Sequence, residues 1–290
     1  MDGTEKGNAG KVALVLEGGS FRGQFTAGVL DVMLERGVSF DVCYGVSAGT
    51  LNGLSFKSRQ AGRACRVNLA FRDDKRYMSM RNVANSGNVV GYDFMLGTVQ
   101  NEIDPFDVDA YLANPMPLLA TVTDMTFGTA DYLEIADPVR DLALARASTA
   151  LPMVSTPVEV AGHLYLDGGL ADSVPVEEAL ERQGYGRAVV VLTQDRSYEK
   201  PPYDMLAAAR KRYADYPYLV EALETRHERY NAQRERIWAY EREGRAFVFA
   251  PPEPVGFSAI ERDGEKLLSL YVKGRQAAER SFEALRAFMA

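Results

Sequence analysis

Residues 44–50 read YGVSAGT and place Ser47 between two glycines, Gly45 and Gly49, two positions to either side. This G-x-S-x-G pattern is typical of a nucleophilic serine on a sharp turn from a strand into a helix. The apolar run at 41–46 predicts the strand, and the small residues after Ser47 predict a helix that packs closely on a sheet. Both glycines permit the tight turn and leave space for a substrate carbonyl. The stretch therefore predicts an α/β fold and a candidate nucleophile.

A similar unit precedes this one. Residues 11–17, KVALVLE, form a short apolar run bounded by glycines, which predicts a buried strand. A glycine-rich loop follows at 18–23, and apolar residues then recur at helical spacing until Gly37 ends the helix. Strand, helix, strand and helix in this order favour a mainly parallel sheet with helices on both faces.

The remaining chain extends the sheet and then changes character. Residues 1–10 are polar and glycine-rich, which predicts disorder. Residues 11–196 form the predicted α/β domain, and residues 197–290 form a mainly helical extension packed on it, beginning near Pro201-Pro202. The further predicted strands, two of which pair as a hairpin turned at Ala161-Gly162, are Leu118–Val122, Tyr132–Ile135, Thr156–Val160, His163–Leu166, Arg187–Gln194 and Arg245–Ala250.

Charge and composition narrow the function. The formal net charge of −7 argues against nucleic-acid binding and against electrostatic docking on anionic lipid. Two cysteines, Cys43 and Cys65, give no disulfide framework. No apolar run reaches the ~18 residues of a membrane-spanning helix, and the first ten residues do not read as a signal peptide. We therefore expect a cytoplasmic protein.

A serine nucleophile needs a base, and histidine is scarce. His163 precedes Asp167 by four residues on a predicted strand, which separates the two by ~13 Å. His227 lies in a charged helical run that predicts a surface position. The sequence therefore argues against a Ser–His–Asp triad. Asp167, at the end of a predicted strand and followed by Gly168 and Gly169, is the alternative base, although Asp-Gly is also common in simple turns.

The loop at 18–23, GGSFRG, is the candidate oxyanion hole, with Gly18, Gly19, Ser20, Arg22 and Gly23 as its members. It joins a strand to a helix N-terminus, where free N–H groups and the helix dipole favour an anion. The glycine spacing differs from that of a dinucleotide-binding loop. Arg22 is equally suited to hold a phosphate or to brace the loop. With no HExxH and no CxxC, we expect no metal and no cofactor.

Taken together, these motifs resemble the patatin-like phospholipase family of the bacterial type. The ordered set consists of the loop at 18–23, Ser47 one βα unit later, and DGG at 167–169, supported by ASTALP at 147–152 and by Pro157. The resemblance covers residues 11–196 and implies a three-layer α/β/α fold. It also implies a catalytic dyad without histidine.

By this resemblance Ser47 is the nucleophile and Asp167 its base. Gly18, Gly19 and neighbouring amides are the oxyanion donors. Three positions depart from the family pattern. Ser20 replaces the third loop glycine, Phe21 stands where a small residue is frequent, and Ser173 stands where many relatives have asparagine. These departures bear on substrate size more than on the chemistry.

The expected function is a serine lipid acyl hydrolase that cleaves carboxylic esters and contacts membrane surfaces transiently. Two alternatives remain at this stage: a thioesterase or general carboxylesterase on soluble acyl substrates, and a catalytically silent lipid-binding or regulatory protein. The Met- and Phe-bearing residues 78–96 are interpreted as core, with an acyl pocket or a lid as the alternative. The sequence predicts no oligomeric state.

Overall fold

The computed structural model describes residues 7–257 and 260–290, and its strands form one eight-stranded sheet. The order across the sheet is β5-β6-β3-β2-β1-β7-β8, with β4 paired to β3. The strands are β1 Val12–Leu16, β2 Val42–Val46, β3 Leu118–Asp124, β4 Ala130–Glu134, β5 Val158–Val160, β6 His163–Asp167, β7 Arg187–Val191 and β8 Ala246–Phe249.

Strand direction divides the sheet into two parts. β3, β2, β1, β7 and β8 are parallel neighbours, as expected for strands joined by helical crossovers. β4, β5 and β6 run antiparallel to their partners. The predicted mainly parallel sheet is therefore confirmed, and the hairpin predicted at Ala161-Gly162 forms.

Helices cover both faces of the sheet. The α-helices are α1 Gly23–Glu35, α2 Ala48–Lys57, α3 Arg63–Phe71, α4 Met80–Ser86, α5 Val108–Ala113, α6 Leu142–Ser148, α7 Leu206–Arg212, α8 Pro217–Glu224, α9 Arg226–Arg242, α10 Gly264–Arg280 and α11 Phe282–Met289. Wider helical turns occupy Asp93–Ile103 and Glu178–Arg182, and short 3-10 turns occupy Ser20–Arg22 and Gly168–Leu170. Within the described residues, no helix is long and apolar enough to cross a membrane.

Successive side chains of the central strands point to opposite faces of the sheet and belong to two hydrophobic cores. Leu14 of β1 points to a core shared with α1, α2 and α10. Its neighbour Val15 points to the opposite core, where Tyr230 and Ile237 of α9 pack. A strand that is buried on both sides in this way requires a helical layer on each face. The three-layer α/β/α architecture is confirmed.

The C-terminal extension contributes a strand to the central sheet in addition to helices that pack on the domain. β8 is hydrogen-bonded in parallel to β7 and so continues the central sheet. α10 lies on α1 at close range. At the other end of the chain, residues 1–6 of the predicted disordered segment lie outside the described residues. Asn8 accepts hydrogen bonds from the backbone amides of Lys11 and Gly186.

Two glycines set the distance between α1 and α10. A Cβ at Gly274 would lie 2.1 Å from the carbonyl oxygen of Phe25, and one at Gly28 would lie 2.1 Å from that of Tyr271. We expect Gly274→Ala to lower the free energy of unfolding by about 1–3 kcal/mol in urea, because the helices must separate. Gly97→Ala is the control, since its Cβ would meet nothing within 4 Å. Equal effects would contradict this packing account.

Candidate active site

Ser47 lies on the turn between β2 and α2 in a strained backbone conformation, with φ 55° and ψ −120°. Few side-chain-bearing residues adopt positive φ, so the surrounding structure must hold it there. The two flanking positions have no room for a side chain. A Cβ at Gly45 would lie 2.6 Å from the Thr50 Cα, and one at Gly49 would lie 2.3 Å from the Leu16 carbonyl oxygen. The strand-turn-helix geometry of a nucleophile elbow is present.

Ser148, at the end of α6, fixes this turn. Its hydroxyl oxygen accepts a hydrogen bond from the Ser47 backbone amide at 2.9 Å, and it is also bonded to the Thr50 hydroxyl at 2.8 Å. All three groups are buried, so loss of the bond would leave an unsatisfied backbone amide at Ser47. Sequence reasoning did not assign this role to Ser148.

Asp167 ends β6 and is 3% exposed, against 8% for Ser47. Its Oδ1 accepts the Gly169 amide at 2.8 Å, whereas its buried Oδ2 has no partner at hydrogen-bond geometry among the described residues. Burial raises the pKa of the Asp167 carboxyl, and the nearby Ser47 hydroxyl and the Arg226 charge partly oppose that increase. Oδ2 is therefore an available and unusually basic oxygen beside the serine.

β3 brings the serine and the aspartate together. Val46, just before Ser47, is paired with Thr121 of β3, and Asp167 is paired with Val122. Gly168 allows the approach, because a Cβ there would lie 2.2 Å from the Thr121 carbonyl oxygen. The sequence placed Asp167 at the end of a strand, and β6 does end at this residue. Because β6 is antiparallel to β3, the rule for ligand sites at the carboxyl ends of parallel strands does not account for its position.

The glycine-rich loop lies directly against Ser47. A Cβ at Gly18 would lie 3.0 Å from the Ser47 Cβ, and one at Gly19 would lie 2.5 Å from the Thr193 hydroxyl oxygen. Ser20, which stands where the family pattern has a glycine, has φ 49°. This left-handed backbone conformation is unfavourable for a residue with a side chain. Among the described residues, the amides of Gly19 and Ser20 donate to no protein acceptor.

The other two members of the loop differ in role. Gly23 begins α1, and a Cβ there would lie 3.0 Å from Asn52 Nδ2, so this glycine allows α1 to pack on α2. Arg22 is half-buried, and its Nε has no hydrogen-bond partner in the described chain. The oxyanion role assigned to this loop stays a prediction, and the amides nearest Ser47 are the best placed to fill it.

An apolar cavity of about 100 Å³ opens beside Ser47, and Leu51, Val67 and Val99 contribute to its wall. Met95 and Leu96, from the Met- and Phe-bearing segment, are buried and also line this cavity. The core interpretation and the pocket interpretation of that segment therefore both apply to these two residues.

The histidines take no part in this site. His163 Nδ1 is bonded to Asp124 Oδ2 at 2.6 Å, and its side chain is 49% exposed. His227 bonds to the Glu224 carbonyl oxygen on the surface of α9. Within residues 7–257 and 260–290, no three His, Cys, Asp or Glu side chains cluster as metal ligands would.

The loop at 18–23, Ser47 and the DGG at 167–169 all lie within the part of the chain that matches a known family model. Residues 14–180, more than half of the chain, match the family model described as Patatin-like phospholipase. Residues 216–290 match a second model, Domain of unknown function (DUF6363).

Curated relatives cover the N-terminal part. The uncharacterized protein YjjU of Escherichia coli (strain K12) is 32% identical over 187 residues, which are 63% of this chain and 52% of that protein. The uncharacterized NTE family protein Rv1063c of Mycobacterium tuberculosis (strain ATCC 25618 / H37Rv) is 27% identical over 57% of this chain and 44% of its own length. The chain thus spans about half the length of the curated relatives it matches. Among solved structures, VipD from Legionella pneumophila aligns with a TM-score of 0.47 and 13% identity, over 94% of this chain and 67% of VipD.

Proposed function

Because the chain belongs to the patatin-like phospholipase family, we propose that it is a serine lipid acyl hydrolase that works through Ser47 and Asp167. The observation that carries the proposal is the free, buried Oδ2 of Asp167 beside the Ser47 hydroxyl. A carboxylate of raised pKa in a water-poor site is a better base than one in solvent. The adjacent apolar cavity suits an acyl chain.

The proposed reaction has two halves. Asp167 Oδ2 accepts the Ser47 proton as Ser47 Oγ attacks the ester carbonyl, and the Gly19 and Ser20 amides stabilise the oxyanion. The C–O bond to the alcohol then breaks, and protonated Asp167 returns the proton to the leaving oxygen. In the second half Asp167 takes a proton from water, the hydroxide attacks the acyl-enzyme, and Ser47 recovers its proton from Asp167.

A substrate panel tests the reaction class. Purified protein should hydrolyse phospholipid or lysophospholipid micelles with a higher kcat/KM than acyl-CoA of the same chain length. Faster turnover of acyl-CoA would assign the protein to the thioesterases instead.

A second candidate is a carboxylesterase for short, soluble acyl esters, and the size of the cavity favours it. At about 100 Å³ the cavity is smaller than the ~150 Å³ void that holds benzene in an engineered core, so a long chain must displace side chains such as Met95. A chain-length series of nitrophenyl esters separates the two. An optimum at two to four carbons with no micelle activity supports the esterase, whereas an optimum at long chains supports the lipid hydrolase.

The raised pKa of Asp167 predicts the acid limb of the pH profile. The base must be ionised, so activity is lost as the pH falls through its pKa in the folded enzyme. Burial raises that pKa, and the charges of Arg226 and Lys200 offset it only in part. We therefore expect kcat/KM for a soluble ester to fall with a midpoint above the ordinary Asp value of ~3.9. Full activity at about pH 4, with the fold verified by circular dichroism, would contradict this.

A further inference from the structure

Three positive side chains lie outside the lining of the acyl cavity, and the charges of two of them, Lys200 and Arg226, act on Asp167. Arg22 belongs to the glycine-rich loop, and Lys200 and Arg226 come from the C-terminal extension. All three are half-buried, and none forms an ion pair with a carboxylate in the described part of the chain. The residues that line the cavity include none of them. In a chain of net charge −7, a cluster of unpaired cations is a specific feature that needs an explanation.

Arg226 is held in place by the catalytic turn itself. Its Nε donates to the Gly169 carbonyl oxygen at 2.6 Å, two residues beyond Asp167. A Cβ at Gly169 would lie 3.2 Å from Arg226 Nη2, so this glycine admits the guanidinium. Among the described residues Arg226 forms no ion pair with a carboxylate at salt-bridge distance, and the carboxylate on which its charge acts is that of Asp167.

Lys200 is also held in a defined position, by its backbone and by aromatic contacts. Its backbone amide donates to Asn231 Oδ1 at 2.8 Å, and Asn231 Nδ2 donates to the Lys200 carbonyl oxygen at 3.1 Å. The Lys200 ammonium lies 4.3 Å from the Tyr230 ring centroid and 5.8 Å from that of Tyr198. Backbone anchoring and aromatic contacts restrict the side chain before any ligand binds, which lowers the entropic cost of binding.

The electrostatics show that these cations lie close to one another. Burial, together with the charges of Arg226, Arg22 and Arg234, lowers the pKa of the Lys200 ammonium to about 7, and Glu17 opposes this decrease. Lys200 and Arg226 both act on Asp167. Mutual repulsion of this kind is relieved when an anion binds among the cations.

We propose that Lys200 and Arg226 form, together with Arg22, a subsite for a phosphate group on the alcohol part of the ester substrate. The inference rests on the proposed function for the statement that this group belongs to a substrate. The acyl chain then occupies the cavity beside Ser47, and the phosphate lies on the cations at the other side of the scissile bond. The C-terminal extension thereby selects the substrate that the N-terminal motifs cleave.

A matched pair of esters tests the subsite. Initial rates are measured on 1-acylglycerol 3-phosphate and on 1-monoacylglycerol with the same acyl chain. Wild type should prefer the phosphorylated ester. Lys200→Gln should lower the ratio of kcat/KM for the phosphorylated ester to kcat/KM for the neutral ester by about 10-fold or more, mainly through KM for the phosphorylated ester. Lys200→Arg should restore the preference. Lys211→Gln, at an exposed lysine of α7, is the control and should change neither rate.

Calorimetric titration of the full-length protein with inorganic phosphate separates this inference from the proposed function. Phosphate should bind wild type and Lys211→Gln, and much more weakly Lys200→Gln. Lys200-dependent binding without hydrolysis of either ester would remove the proposed function and keep the phosphate site. Phosphate binding without a preference for the phosphorylated ester would assign the site to free phosphate and overturn the substrate claim. Equal losses on both esters in Lys200→Gln, or no loss on either, would overturn the subsite.

Discussion

Asp167→Asn should reduce kcat by about 10³–10⁴-fold on any ester that the wild type hydrolyses. Asparagine keeps the volume of the side chain and an oxygen to accept the Gly169 amide, but its second terminal atom is an amide nitrogen that cannot take the Ser47 proton. The loss should therefore appear in kcat, with KM little changed. Initial rates on a soluble ester at saturation measure it directly.

The melting temperature of Asp167→Asn distinguishes the loss of the catalytic base from the loss of the folded structure. The pKa of Asp167 is raised in the folded chain, so its ionised form is disfavoured there. Such a group stabilises the fold fully below its unfolded pKa, and the contribution is lost as the pH rises through the folded pKa. At neutral pH the ionised carboxylate is therefore a net cost, and Asp167→Asn should melt at the same temperature or higher. Asp172→Asn, whose carboxyl instead accepts from Tyr132 and Gln233, is the matched control and should stay active.

Ser47→Ala should have the largest effect on rate, a loss of about 10⁶-fold in kcat, which leaves only background hydrolysis. The substitution removes the nucleophilic oxygen and retains the backbone amide that donates to Ser148. Folding should be unaffected, because the elbow depends on that amide and on the flanking glycines. Near-normal turnover by a variant of unchanged melting temperature would place the chemistry elsewhere.

The glycine-rich loop and the sharp turn at Ser47 could be predicted because their physical requirements are local. A sharp turn with positive φ at Ser47 requires small neighbours within a few residues, and the sequence shows them. The parallel half of the sheet followed from the alternation of apolar strands and amphipathic helices. Asp167 was found through its motif, although its position depends on an antiparallel pairing that the local sequence did not reveal.

The supporting residues could not be predicted because their partners are distant in sequence. Ser148 meets the Ser47 amide across 101 positions, and Arg226 meets the Gly169 carbonyl across 57. No periodicity encodes such contacts. Lys200 and Arg226 also lie in a segment that reads as an ordinary charged helical extension. The pairing of β8 with β7 was missed for the same reason, since an edge strand has no local signal for its neighbour.

Covalent labelling by a fluorophosphonate probe tests the central claim most directly, because the probe reacts only with an activated serine. Wild type should be labelled at one site, which peptide mapping assigns to Ser47. Ser47→Ala should not be labelled, and Ser58→Ala, at the opposite end of α2, should be labelled as wild type is. Asp167→Asn should react far more slowly. An unlabelled wild type would favour a silent lipid-binding protein on this fold, and equal labelling of Ser47→Ala would contradict the assignment of Ser47 as nucleophile.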